Sequence, residues 1–385
     1  MRQKNADHNL RTYCDSFFCH QFFCCMCSCV NDNAVLMSDF DDGMRAKPAP
    51  GPLWSTFSFS LINKIDRAGI AEMSDPPKFC GDGHIANCDG SAVRIASQLT
   101  LSSPAKLNIF LEVLGRRPDG FHELETVMLR TQFCDQLTFQ QTPSSELTLS
   151  LSDATPAAMR SGIPLDETNL ILRAARALQK TTGTVSGAHI ILHKRIPPES
   201  GLGGGSSNAA TTLLGCRQLW NSVVSDEQLH AIAATLGSDI NFLLSGASAA
   251  VCRGRGEIID PIPLARKLYF VALRPRAGNS TAAVFRQTVI PDTPRSSKPL
   301  ADSILHGTGN LQSRIFNRLI HAASQLNPAM ADLLKSISHT VHRPAFMSGS
   351  GSTVYVVAAS RPDAQSVSEQ LKNSCRLPVW ILECG

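Results

Sequence analysis

The sequence predicts an α+β fold: strand patterns and helix patterns alternate without a regular βαβ rhythm, no segment repeats, and long apolar stretches sit among sparse charges. Hydrophobic residues make up 43% of the chain and charged residues 18%, a balance that supports a substantial core and excludes disorder of the whole chain. At 385 residues the length accommodates two domains of ordinary size or one large domain with a tail.

Residues 1–100 carry no sustained periodicity and contain the proline-rich patch Lys47–Pro52, so they are expected to form a poorly structured N-terminal extension. Met37, Met44 and Met73 offer alternative starts within it. The first ninety residues hold Cys14, Cys19, Cys24, Cys25, Cys27, Cys29, Cys80 and Cys88, but the crowded run lacks a second ligand pair at a regular spacing, so no metal site is expected. The five later cysteines are scattered singly, which suits a reducing compartment. Asp7, Asp15, Asp32, Asp39, Asp41 and Asp42 argue against a transit peptide, and no apolar run reaches the roughly twenty residues needed to cross a bilayer. A cytoplasmic protein without a membrane partner is therefore expected.

From Pro104 the texture changes. Leu107, Ile109, Leu111 and Val113 alternate with Asn108, Phe110 and Glu112, the period of a strand, and the turn Arg116–Gly120 ends it. A further strand is expected around Gln136–Phe139. Thr168–Lys180 reads as a helix, with Leu170, Ile171, Ala174, Ala175 and Leu178 on one face and Gly183 just past its end. His189–Ile196 reads as a strand closed by Pro197 and Pro198, and Ser206–Trp220 as a helix. Beyond the middle, Leu268–Leu273 and Thr353–Ala358 are expected as strands, and Asn310–Leu326 and Ala329–Ser336 as helices. The net charge of +4 is spread thinly, with a mild excess at Arg253, Arg255, Arg266, Lys267, Arg274 and Arg276, and no nucleic-acid partner is expected.

The strongest chemical signal is Ile196–Ala210, IPPESGLGGGSSNAA, where Gly201, Gly203, Gly204 and Gly205 stand immediately before Ser206, Ser207 and a helix. A polyphosphate needs backbone N–H groups aimed at its oxygens, and side chains would block that approach. The lysine and hydroxyl of a Walker A loop do not follow the last glycine, and the pattern is not the dinucleotide fingerprint. A flexible linker fits poorly, because an apolar helix follows at once. Phosphoryl transfer to an alcohol further requires a carboxylate near the hydroxyl, a cation near the developing charge and Mg²⁺ on the phosphates. Asp239, in Leu236–Gly246, interrupts an otherwise apolar stretch and is the best candidate for that carboxylate.

GLGGGSSNAA resembles the second signature of the GHMP kinases, in the form found in the branch acting on a cytidine diphosphate conjugate of methylerythritol. Pro104–Val127 is similar to that branch's N-terminal signature and Met347–Tyr355 to its C-terminal glycine loop; the resemblance spans about residues 102–385. It implies an ATP- and Mg²⁺-dependent kinase of small-molecule alcohols, monomeric or homodimeric. The implied fold has a ribosomal protein S5-like N-terminal half over residues 101–262 and a ferredoxin-like C-terminal half over 263–385. By the same resemblance Asp239 is the catalytic base and Lys106 the catalytic lysine that orients it and keeps it ionised. Pro197, Pro198, Glu199, Ser200, Gly201, Leu202, Gly203, Gly204, Gly205, Ser206 and Ser207 would hold ATP. Asn108, Phe121, His122 and Phe285 would hold the substrate, His122 reading cytosine and the two phenylalanines stacking on it, while the Ser348–Ser352 loop would close over the phosphates. Gly309–Gln312, GNLQ, stands where the family has Asn-Asp-Leu-Glu opening a late helix, which removes two acids. A mevalonate or homoserine kinase, and a nucleotide-binding protein without catalysis, are the alternatives.

Overall fold

Two sheets carry the molecule in the computed structural model, which describes residues 85–86, 92–93, 98–275 and 278–385. The cysteine-rich run and most of the expected extension lie outside the described residues. Before the main sheet, β1 (Ile85–Ala86) and β2 (Ala92–Val93) form a short antiparallel ladder.

The larger sheet begins with a long hairpin of β3 (Gln98–Arg116) and β4 (His122–Thr142), so both strands far exceed the segments that periodicity marked. After β5 (Leu147–Leu151) the chain passes through α1 (Ala157–Arg160) and α2 (Leu170–Thr182) to β6 (Gly187–His193). Asn169 caps α2 by accepting from the Ile171 N–H, and Gly183, left-handed at φ 66°, ends it. Then come α3 (Gly204–Leu219), α4 (Asp226–Leu236), α5 (Ile240–Leu244), β7 (Ala249–Gly254) and β8 (Ile258–Pro261). One end of β4 pairs with β7 and the other with β6, so on its edge away from β3 this single strand carries two partners end to end. Helices α2 and α3 share a core with Phe139, Ile190 and Leu192.

The second sheet starts at β9 (Leu268–Leu273), followed by α6 (Thr281–Gln287) and α7 (Lys298–His306). The chain goes on through β10 (Phe316–Asn317), α8 (Ile320–Leu326), α9 (Pro328–Val341), β11 (Ala345–Met347), β12 (Val354–Ala358), α10 (Arg361–Cys375) and β13 (Val379–Cys384). Its order, β11-β12-β9-β13, is antiparallel throughout. Numbered within that sheet, the strands run 2-3-1-4 with helices between the first and second and between the third and fourth, which is the ferredoxin-like arrangement that the resemblance implied. Helices α9 and α10 pack on it through Ile337, Val341, Val367 and Leu371.

One expectation needs correction. Asn310–Leu326 is not one helix: it holds a 3₁₀ turn (Gln312–Arg314), β10 and only then α8. Phe316 and Asn317 instead pair parallel with Phe110 and Leu111 of β3, and the Arg318 N–H donates to the Leu111 carbonyl, so tertiary pairing overrides local helical preference. The polar face of β3 is covered. Lys106, Asn108 and Glu112 are all buried, because later parts of the chain cover them. Glu112 is fully enclosed and accepts from Arg318 Nε at 2.7 Å and Nη2 at 2.8 Å and from the Arg295 N–H at 2.9 Å. Burial works to raise its pKa, but those donors outweigh it and hold the carboxyl below its ordinary value.

A second buried ion pair supports the glycine run. Asp135, on β4, is fully buried, pairs with Lys194, and accepts from the backbone N–H groups of Arg195 at 2.6 Å and Ile196 at 2.7 Å. Burial depresses the Lys194 pKa, against the pull of Asp135. Removing the carboxylate in Asp135→Ala leaves an unpaired ammonium inside the protein, and is expected to lower stability by about 3–5 kcal/mol in denaturant-unfolding measurements.

Candidate active site

A cavity of about 860 Å³ opens between the glycine run, the first turn of the β3–β4 hairpin and α6. That size suits a small-molecule ligand. Lys106 and Asn108 of β3 enter it from below, Asp239 from the start of α5, and Gly349 and Ser350 from the β11–β12 loop.

Lys106 is the centre of the polar network. The register of β3 against β4 slips beside it, and its N–H donates to the Leu202 carbonyl at 2.9 Å, tying the strand to the glycine run. Its Nζ donates to Asn108 Oδ1 and lies 3.3 Å from Asp239 Oδ2. Asp239 stands at the N-cap of α5 without capping it through its side chain, so its carboxylate remains free for Lys106 and the cavity. Asn108 is held on every side: its Nδ2 donates to Thr126 Oγ1 at 2.9 Å, its N–H to Ser348 Oγ at 3.1 Å, and its carbonyl accepts from the buried Tyr355 hydroxyl.

The glycine run wraps the N-terminus of α3. Gly203, the N-cap, has φ 68°, and a Cβ there would lie 2.8 Å from Lys106 Cγ. Gly201 has φ 77°, and its Cβ would lie 2.6 Å from the Ser348 carbonyl. Glycine is therefore required at both positions by conformation and by space. Pro197, Pro198, Glu199, Ser200, Gly204, Gly205 and Ser206 line the cavity too, but two expected members do not. Leu202 is buried behind the run and contributes its carbonyl to Lys106. Ser207 is likewise buried, and its hydroxyl accepts from Ser103 Oγ at 2.8 Å. One residue of helical rotation separates it from Ser206, which does face the opening.

At the other end, the His122 and Phe285 rings lie 5.3 Å apart between centroids, and His122 Nε2 is buried without a hydrogen-bond partner among the described residues. Burial, helped by the charge of Arg116, lowers the His122 pKa, so the ring is neutral at pH 7. Phe121 is half exposed, with the Arg255 guanidinium 4.8 Å above its ring. A buried ring nitrogen beside the Phe285 face fits a heterocyclic base.

Sequence reasoning missed the groups that fix the β11–β12 loop. Asn317 Nδ2 donates to the carbonyls of Met347 at 2.9 Å and Gly349 at 2.8 Å, and Asn279 Nδ2 to that of Ser350 at 2.9 Å. Thr281 meets Ser350 hydroxyl to hydroxyl. Arg255 and Ser238 also line the cavity. Gly309–Gln312, where the departure from the family pattern was expected, line a separate surface cleft. The late helix α8 follows Asn317, Arg318 and Leu319 and begins at Ile320. Arg318 is matched by Glu112.

The paired halves, the glycine cradle before α3 and the Lys106–Asp239 pair define a kinase of the GHMP class. Models of the GHMP kinase N-terminal and C-terminal domains match residues 169–254 and 301–377. The chain belongs to this family, in its group of 4-diphosphocytidyl-2-C-methyl-D-erythritol kinases. The Polaromonas sp. (strain JS666 / ATCC BAA-500) protein of that name is 37% identical over 286 residues, 72% of this chain and 89% of the relative. Its Shewanella loihica counterpart is 37% identical over 271 residues, 70% and 88% of the two chains. The crystal structure of a 4-(cytidine 5'-diphospho)-2C-methyl-D-erythritol kinase, 30% identical, superposes with a TM-score of 0.61 over 74% of this chain and 99% of that one. A homoserine kinase from Cytophaga hutchinsonii shares the fold, at a TM-score of 0.57 and 17% identity, over 76% of this chain and 96% of its own.

Gly203→Ala is expected to displace Lys106 and reduce kcat about 10²-fold, the effect of an ångström-scale misplacement. Steady-state kinetics, with the Lys106–Asp239 distance measured in a crystal of the variant, checks this.

Proposed function

We propose that this protein transfers the γ-phosphoryl group of ATP to the 2-hydroxyl of 4-diphosphocytidyl-2-C-methyl-D-erythritol, a step of the non-mevalonate route to isoprenoids. The observation that carries the reading is the 3.3 Å Lys106–Asp239 pair at the mouth of a glycine cradle that leads into a helix N-terminus. The relatives that match most of this chain supply the substrate name.

Asp239 accepts the proton of the acceptor hydroxyl as the oxygen attacks phosphorus. Lys106 keeps that carboxylate aimed, and its positive charge lies close to the charge that develops on the transferring group. Asn108 holds the ammonium in place. The backbone N–H groups of Gly203–Ser206 and the α3 dipole receive the phosphates. The Ser206 hydroxyl is on the rim where Mg²⁺ would accompany the nucleotide; when bound, that ion neutralises phosphate charge. At the far end, neutral His122 offers Nε2 to the cytosine edge, and Phe285 and Phe121 supply apolar faces.

Among the described residues no helix is long and apolar enough to cross a membrane. A cytoplasmic location is part of the proposal, and cell fractionation would test it against the plastid named for the rice relative.

A coupled ADP-release assay with 4-diphosphocytidyl-2-C-methyl-D-erythritol, mevalonate and homoserine tests the assignment: turnover of the first alone is expected, and preference for either other alcohol refutes it. Asp239→Asn is expected to lower kcat about 10²–10⁴-fold while ATP binding, followed by calorimetry, is retained. The pH dependence follows from the sign of the His122 shift. Because its pKa lies below the ordinary value of about 6.5, affinity for CMP should be flat across neutral pH and fall only as the ring gains its proton under acidic conditions. In His122→Ala that acidic fall should disappear.

A further inference from the structure

The loop between β11 and β12 lies directly against the groups that carry the chemistry. A Cβ built on Gly349 would stand 3.1 Å from Asn108 Oδ1 and 3.4 Å from Lys106 Nζ, and Gly349 and Ser350 face the cavity. The backbone at Gly349 is therefore one wall around the Lys106 ammonium, and any displacement of the loop is a displacement of that wall.

The Gly349 carbonyl accepts from Asn317 Nδ2 at 2.8 Å, and Gly349 makes no other hydrogen bond among the described residues. The same Nδ2 donates to the Met347 carbonyl at 2.9 Å. What sets Asn317 apart from other residues that touch the loop is the place of its own backbone. As part of β10 it pairs with Leu111 of β3, the strand that carries Lys106 and Asn108. Beside it the Arg318 N–H donates to the Leu111 carbonyl at 2.8 Å, and the Arg318 guanidinium is locked on the enclosed Glu112. Asn317 is thus fixed to β3 and reaches from there to the loop.

Its amide has one orientation. Oδ1 accepts from the Leu319 N–H at 2.9 Å, which turns Nδ2 toward the loop, and the residue is only 9% exposed, so water competes little for these bonds. A carboxamide supplies an acceptor and two N–H donors from one short side chain. Aspartate would keep the shape and the acceptor, but would set a carboxylate oxygen against two carbonyls.

We infer that Asn317 is a positioning residue for phosphoryl transfer: it sets the spacing between the glycine loop and the Lys106, Asn108 and Asp239 side chains. Asn317 does not itself line the cavity, so its effect passes through Gly349 and falls on the rate, not on recognition of the base at the far end. This inference rests on the kinase reading given above.

Asn317→Asp and Asn317→Ser in the full-length protein test it, each assayed well below its Tm. Calorimetric titration with CMP counts the folded sites and reports on the base pocket, and turnover of ATP with the cytidine diphosphate conjugate is expressed per CMP-binding site. In Asn317→Asp kcat should fall about 10²-fold, the scale of an ångström-sized misplacement, while CMP affinity stays at the parent value. Asn317→Ser, shorter and uncharged, should show the same split between rate and binding. A crystal of the aspartate variant should show Gly349 moved relative to Lys106 Nζ.

Parental kcat per CMP-binding site in Asn317→Asp overturns the inference. So does loss of CMP affinity in step with kcat, or failure of both variants to give CMP-binding protein, either of which assigns Asn317 to the fold as a whole. Parent protein that binds CMP but does not turn over the conjugate refutes the kinase reading itself, a result distinct from failure of the positioning role.

Discussion

An ammonium group buried at the junction of a strand, a glycine run and a helix cap must be ringed by oxygen, and the site follows from meeting that demand around Lys106. Asn108 and Asp239 supply acceptors to its Nζ, and the Leu202 carbonyl takes its N–H. The same crowding dictates the glycines, since the Lys106 stem occupies the space that a side chain at Gly203 would fill. Charge, backbone path and residue size are thus set together. A pair with its lysine this deeply buried is a poor source of stability, but it fixes one geometry for the groups that handle the proton.

Around that centre the molecule spends its polar contacts on loops. Asp135 gathers the backbone of Arg195 and Ile196 and so fixes the path into the glycine run. Asn317 does the same for the β11–β12 loop from the opposite side, and Asn108 touches that loop through Ser348. Segments that regular hydrogen bonding cannot order are held by single buried side chains, each satisfying several backbone groups. Precision at the reacting atoms comes from this support as much as from the sheets.

Much of this was legible beforehand, for reasons that differ by element. Strands β9 and β12 and helices α2 and α3 declare themselves because local period, caps and glycine stops agree with the tertiary structure. The cradle was readable because consecutive glycines before a helix answer a specific chemical need. Lys106, Asn108 and His122 meant little alone and gained meaning only from the resemblance of their neighbourhood to a family signature. What stayed hidden depends on contacts between distant segments. Two residues of β10 inside an apparent helix, the burial of Ser207 beside half-buried Ser206, and the match of Glu112 with Arg318 leave no local trace. Nothing near Glu112 in the chain announces the arginine 206 positions later.

The placement of β10 also bears on how such a chain is made. Phe316 and Asn317 complete the edge of a sheet whose other strands end by Pro261, so that edge pairs only after more than fifty further residues have emerged. During synthesis the first half would therefore wait with an open flank beside β3, where the buried polar residues of the site reside. Contacts of such long separation are slow to form and leave unpaired strand edges available to other chains in the interval. Completion of the catalytic centre is in this sense a late event in the life of the polypeptide, timed by the arrival of a dipeptide.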